Sequence, residues 1–420
     1  MPRLSRRDLL KSTLAASLGG AALMTIPRRA AATRATSVPG GRERLLLDRD
    51  WRFALGHASD PARDFGFGAG NDWDKVGEFL DPSSLRFDVS AWRTLDLPYD
   101  WAVELPFVNS EEINQHGFKP IGRLYPATSI GWYRRVFRIP EADAGRRLVL
   151  DFDGVYRDAV VALNGHYLGR NLSGYAPFRF DISDLATFGG DNVIVVRANA
   201  SEREGWFYEG AGIYRHVWLT KTHPLHLAAG ATFVRSEVHA AAGAGATVTV
   251  TAEIANDGDD ALPCSAVATI LDASGNAVAT ARTTPAAVPA WERRAIALRL
   301  NVRRPSLWSL ETPHLYHLSL AVVSGAAETD RDLTPFGIRT IRFDAEQGFF
   351  LNERHVEIQG TCNHQDHAGV GSALPDRLQA FRVERLKAFG CNAYRTSHNP
   401  PTAELLDACD RLGMLVLGET

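Results

Sequence analysis

The 420-residue chain carries 46 Lys and Arg against 49 Asp and Glu, a formal charge of −3, and 45% of its residues are hydrophobic. That is material for two or three cored domains, and the near-neutral balance excludes nucleic acid or an anionic membrane as a charge-matched partner. Basic pairs such as Arg303-Arg304 stand isolated, and no internal stretch is long and apolar enough to span a bilayer.

The N-terminus reads as a leader. Ser5-Arg6-Arg7-Asp8-Leu9-Leu10-Lys11 precedes a weakly apolar run from Leu14 to Ile26, and Ala30-Ala31-Ala32 supplies a small-residue cleavage site. Charge, apolar run and cleavage site in this order resemble a twin-arginine export signal over residues 1–32, with Leu9 where an aromatic is commoner. A mature chain starting near Thr33, periplasmic or secreted and without membrane insertion, is the expectation. The four cysteines (Cys264, Cys362, Cys391 and Cys409) make no disulfide framework. Cys409 shares a helical face with Leu405 and Leu412, which predicts a buried free thiol.

Over residues 45–222 the pattern is all-β. Alternating runs recur at Arg147–Phe152, Ala159–Leu163 and Asn192–Asn199. Asn164-Gly165 predicts a two-residue hairpin, whose turn positions both need positive φ. Tryptophan and tyrosine are dense (Trp51, Trp73, Trp92, Trp101, Trp132, Tyr133, Trp206, Tyr208). A jelly-roll sandwich is the natural architecture, and aromatics at its edge can stack on sugars, although core packing is the commoner role for any one of them. Residues 224–335 turn Ala/Val/Thr-rich, with strands at Ala246–Ala255 and Ala295–Val302 and turns at Asn256–Asp260 and Asp272–Gly275. An immunoglobulin-like spacer without chemistry is predicted there.

Residues 336–420 change period. A hairpin at Gly348–Asn352 leads to a first buried strand at His355–Gly360. A helix follows at Pro375–Phe389, with Leu378, Phe381, Leu386 and Phe389 apolar and Gly390 as its stop. A strand at Cys391–Arg395, a helix at Thr402–Leu412 and a strand at Met414–Leu417 complete the segment. Alternation of this kind means parallel strands with right-handed crossovers, about three of the eight βα units of a closed (β/α)8 TIM barrel. Such barrels carry their chemistry at the C-terminal ends of the strands. Those ends are Asn363-His364-Gln365-Asp366-His367, Arg395-Thr396-Ser397-His398-Asn399 and Glu419, and they converge on one mouth. Cys362, His364 and His367 have zinc-like spacing but no evident fourth ligand, so no metal site is assigned.

The segment Asn392–Leu417 resembles a signature of the family 2 glycoside hydrolases, which include β-galactosidases, β-glucuronidases and β-mannosidases. Leu97-Pro98-Tyr99-Asp100-Trp101, Gly131-Trp132-Tyr133-Arg134, Leu163-Asn164-Gly165, Gly212-Ile213-Tyr214-Arg215 and Phe336-Gly337-Ile338-Arg339 resemble the family's recurring phrases, in order. The phrases at Asn363–His367 and Ser397–Pro400 are most similar to bacterial enzymes named β-galactosidase. The resemblance implies a retaining hydrolase acting on oligo- or polysaccharide β-glycosides, with two carboxyl groups about 5–5.5 Å apart. Both catalytic glutamates are expected beyond Thr420, which implies an N-terminal portion without turnover of its own. Glu419 matches a structural acid at the third strand rather than either catalytic group.

By the same resemblance Arg395 matches the arginine that orients the nucleophile, and His364 and His398 match histidines that contact sugar hydroxyls. Asp366 and Asn399 are expected to line that mouth, and Asp100 to reach the substrate from a sandwich loop. The resemblance admits Mg²⁺ as a cofactor and a homo-oligomer as the assembly. Where some β-galactosidases carry an acid that binds sugar and sodium, this chain has Trp206, so neither sodium dependence nor galactose specificity carries over. The alternative is a non-catalytic carbohydrate-binding or scaffold protein with a vestigial barrel stub.

Overall fold

The computed structural model describes residues 41–69, 81–239 and 245–419. The leader of residues 1–32 and Trp73 lie outside them. A jelly-roll sandwich, an immunoglobulin-like sandwich and part of a TIM barrel follow one another.

The first sandwich pairs a four-stranded sheet (in order 43–46, 217–222, 147–152, 178–181) with a six-stranded one (93–95, 51–55, 130–138, 191–199, 159–163, 166–171). Strand Arg147–Phe152 alternates as the period of two requires, with Leu148, Leu150 and Phe152 fully buried against Trp51, Tyr133 and Val196. Strand Ala159–Leu163 is buried on both faces. Its outer face lies under a second cluster in which Val160 and Ala162 join Trp92 and Trp132, with Phe65 and Phe87 packed on them. Beneath that cover Asp64 accepts from Trp132 Nε1 at 2.7 Å and from Arg197 Nη2 at 2.7 Å, so the buried guanidinium is paired. Asn164 and Gly165 form the hairpin turn with φ of 51° and 83°.

The second sandwich holds strand Ala246–Asn256 between strand Glu292–Val302 on one side and Leu225–Leu227 and Phe233–Val238 on the other. The facing sheet is built on Leu262–Leu271 and Tyr316–Ser324. Val248, Val250, Ile270, Leu318 and Leu320 fill the space between. Two contacts fasten this sandwich to the barrel segment. Trp308 Nε1 donates to Asp410 O at 2.8 Å, and Lys387 Nζ donates to Leu310 O at 2.6 Å, to Gly413 O at 3.0 Å and to Leu412 O.

The barrel segment has three parallel strands, Gly360–Asn363, Ala393–Thr396 and Leu415–Leu417, in that order. Helices Asp376–Ala388 and Ala403–Leu412 provide the crossovers. Thr402 caps the second helix by accepting from Leu405 N, and Gly413 ends it in the left-handed region at φ 72°. Two expectations need correction. Residues 355–360 do not form a buried strand: Arg354–His355 closes a hairpin with Gly348–Leu351, and the first parallel strand begins only at Gly360. That strand is exposed, because it is the edge of the three. Along the first helix, Val383 and Gln379 are buried while Phe381 and Phe389 are exposed. The helix packs through Val383, Ala380 and Leu386 onto Leu405, Ala408 and Cys409 of the second, a narrower stripe than four apolar positions implied.

Candidate active site

The three strand ends meet as the register dictates. Cys362 stands opposite Arg395, and Arg395 opposite Leu417, so the residues that follow each strand project from one end of the sheet. Arg395 is the hub. Its Nη1 donates to Cys362 Sγ at 3.0 Å, and its Nη2 pairs with Glu419 Oε1. The other carboxylate oxygen of Glu419 lies 3.0 Å from His398 Nδ1, and Glu419 N donates to Thr396 Oγ1 at 2.9 Å. A chain Cys362–Arg395–Glu419–His398 therefore spans all three strands.

His364 joins from the first tip, its ring centroid 5.2 Å from that of His398. Its position is set from below: Arg382 on the first helix donates to His364 O at 2.6 Å. The guanidinium bond from Arg395, seconded by Ser397, holds the Cys362 thiol below its ordinary pKa.

Two aromatic rings complete the mouth, and they come from the first sandwich. Trp206 lies 6.0 Å from His364 and 5.6 Å from His398, and Phe207 lies 5.5 Å from each. Trp206 is 70% exposed, so its face is open to a ligand. Arg215, on the same sandwich, donates to Pro400 O at 2.7 Å and fixes the second tip. Spacing along the chain could not show that residues 206–207 reach this mouth. The available signal was Trp206 itself, an aromatic where the family resemblance admits an acid.

His364, Arg395 and His398 thus come together, with Asp366 half-buried on the loop of the first tip. Asp100 and Asn399 do not share the open surface. Asp100 is 3% exposed and caps the short helix at Trp101–Glu104. Its Oδ1 accepts from Ala102 N and Ala211 N, and its Oδ2 from Tyr208 Oη and from both Ser372 N and Ser372 Oγ. Burial pushes its pKa up against those bonds, and no lone pair is left for a ligand. Asn399 is 4% exposed and faces a small recess with Gln365, Gln379 and Arg382. Cys362, His364 and His367 do not gather as a metal set. Among the described residues the one group whose ligand atoms converge is His216, Asp376 and Glu404.

Two sandwiches and a parallel α/β sheet thus bring an aromatic and polar mouth together at one end of the sheet. Sequence profiles match in the same order: glycosyl hydrolases family 2, sugar binding domain, over 46–223; glycosyl hydrolases family 2 over 226–339; and glycosyl hydrolases family 2, TIM barrel domain, over 344–420. The chain belongs to glycosyl hydrolase family 2. It is 37% identical to the β-galactosidase BoGH2A of Bacteroides ovatus over 389 residues, which are 92% of this chain and 42% of that protein. A β-glucuronidase of Formosa agariphila is 29% identical, with 79% of this chain and 36% of that protein covered. Among solved structures, a family 2 member from Bacteroides cellulosilyticus superposes with a TM-score of 0.79 at 32% identity, over 90% of this chain and 46% of that one. The chain spans less than half the length of these relatives.

Proposed function

We propose that this chain is the N-terminal portion of an exported, retaining β-glycosidase that acts on β-galactosides or related β-glycosides. The carrying observation is the mouth itself: two imidazoles and a guanidinium–carboxylate pair beside an open indole face. Ring faces take the C–H surfaces of a pyranose while the imidazoles meet its hydroxyls. Glu419 has one oxygen on Arg395 and the other on His398, which fits the structural acid that the family resemblance gives this position. In this reading the two carboxyl groups of the double displacement are supplied from outside these 420 residues. Arg395 would then steady an incoming carboxylate that shares its guanidinium with Glu419. The paired arginines at Arg6-Arg7 support export.

The test is a panel of 4-nitrophenyl β-glycosides, run on residues 33–420 and on the product of the whole reading frame. Turnover by the longer protein alone supports the reading, and the preferred glycoside names the sugar. Turnover by residues 33–420 overturns the assignment of the carboxylates. Binding without turnover by either favours the non-catalytic carbohydrate-binding alternative, which the open Trp206 face also fits.

A further inference from the structure

Where the first sandwich meets the two barrel helices, one imidazole faces three carboxylates. His216, 8% exposed, sits just before strand Val217–Thr222. Its Nδ1 lies 2.5 Å from Asp48 Oδ2, and Asp48 is fixed in turn by Val217 N, which donates to Oδ1 at 3.1 Å. The other ring nitrogen, Nε2, lies 2.9 Å from Asp376 Oδ1 and 3.9 Å from Glu404 Oε1. Asp376 opens the first barrel helix and Glu404 lies in the first turn of the second. Each of the three carboxylates forms its ion pair with this one ring.

We propose that His216, Asp376 and Glu404 bind one divalent transition-metal ion, with Zn²⁺ as the best-fitting occupant, joining the first sandwich to the barrel helices. One atom from each residue lies within 4.8 Å of the others. Tetrahedral bonds of 2.0–2.1 Å place ligand atoms ~3.3 Å apart. The observed 2.9 and 3.9 Å from Nε2 bracket that value, and rotation of Asp376 and Glu404, whose ligand atoms lie within 4.8 Å of each other, would complete the set. Asp48 holds Nδ1 as a carboxylate holds the far nitrogen of a metal-ligating histidine, and the ion takes the place of the proton that Nε2 shares with Asp376, so binding releases that proton. One imidazole with two carboxylates suits Zn²⁺ or Co²⁺ better than Mg²⁺ or Ca²⁺, which prefer all-oxygen shells. The side chain of Asp376 is 62% exposed, which provides the entry path. Three protein ligands leave the fourth position to water. The site ties the sandwich that carries Trp206 to the helices that set the strand tips.

The experiment uses untagged, chelator-stripped protein titrated with ZnCl₂, CoCl₂, MgCl₂ and CaCl₂, read by calorimetry and thermal unfolding. One equivalent of Zn²⁺ is expected to bind and raise Tm by about 3 °C, reversibly with EDTA. Co²⁺ is expected to give the visible absorption of a low-coordinate site. Asp376→Asn and Glu404→Gln should each weaken Zn²⁺ binding at least ~10-fold. Both residues lie at helix starts, so these variants remain testable if a His216 variant fails to fold. The proposal is overturned if neither Zn²⁺ nor Co²⁺ binds, if the double variant Asp376→Asn/Glu404→Gln keeps the Zn²⁺-dependent shift, or if only Mg²⁺ or Ca²⁺ responds.

Discussion

The carboxylate of Asp100, on a loop of the first sandwich, accepts from both the backbone N–H and the hydroxyl of Ser372, 272 residues later on the approach to the first barrel helix. The same carboxylate takes Tyr208 Oη and two further amides. A loop capping residue thereby becomes the joint between the sugar-binding sandwich and the barrel. Asp100→Ala leaves these buried donors without a partner and is expected to cost about 3 kcal/mol or more. Urea unfolding measures it, and a loss below ~1 kcal/mol would show that water replaces the carboxylate.

Lys387 has the corresponding role between the second sandwich and the barrel. Its ammonium meets the carbonyl of Leu310 on the sandwich and those of Leu412 and Gly413 at the C-terminal end of the second helix, where a cation is favoured. Lys387→Met is predicted to destabilise the protein by about 2 kcal/mol, seen as a lower denaturant midpoint at unchanged slope.

Trp206 is largely exposed, so Trp206→Ala should shift unfolding by no more than ~0.5 kcal/mol. Loss of the ring face is expected to weaken a bound β-glycoside roughly threefold to tenfold. Titration of the inhibitor 1-thio analogue of the preferred glycoside checks this, and unaltered affinity would place the ligand elsewhere.

The two best-defined thiols should respond to pH in opposite senses. Cys362 is exposed and lowered by Arg395, so its alkylation by iodoacetamide should gain half its plateau rate below pH 9, the ordinary thiol value. In Arg395→Met that midpoint moves up; an unmoved midpoint refutes the coupling. Burial pushes Cys409 up to about 12 from 9.0. Its folded value lies above the unfolded one, so the stability it contributes is complete below pH 9 and drains away between pH 9 and 12. The Cys409→Ala variant should show a shallower decline across that window.

What the sequence disclosed was local. Arg147–Phe152 shows its period of two, and Asn164-Gly165 its turn, because neighbours in the chain decide both. The tips at His364, Arg395 and His398 were legible because a parallel strand–helix rhythm fixes which end carries chemistry. What escaped depends on partners far along the chain. Asp100 looked like a ligand-facing acid until Ser372 and Ala211 claimed its oxygens. Phe381 and Phe389 matched a helical stripe, yet the neighbouring helix meets Val383. His216 carries no motif, and its carboxylates come from three separate elements.

One short stretch of the first sandwich, residues 206–216, supplies the rings beside the histidines, the hydroxyl on Asp100, the guanidinium that holds Pro400 and the imidazole between the helices. Recognition and assembly are written in the same few residues. Grafting this stretch between family members would therefore move the exposed rings and the docking contacts together. A graft of the rings alone would leave the host's own fastening intact, so under the proposed function residues 206 and 207 are the place to retune ligand preference without disturbing how the pieces lock.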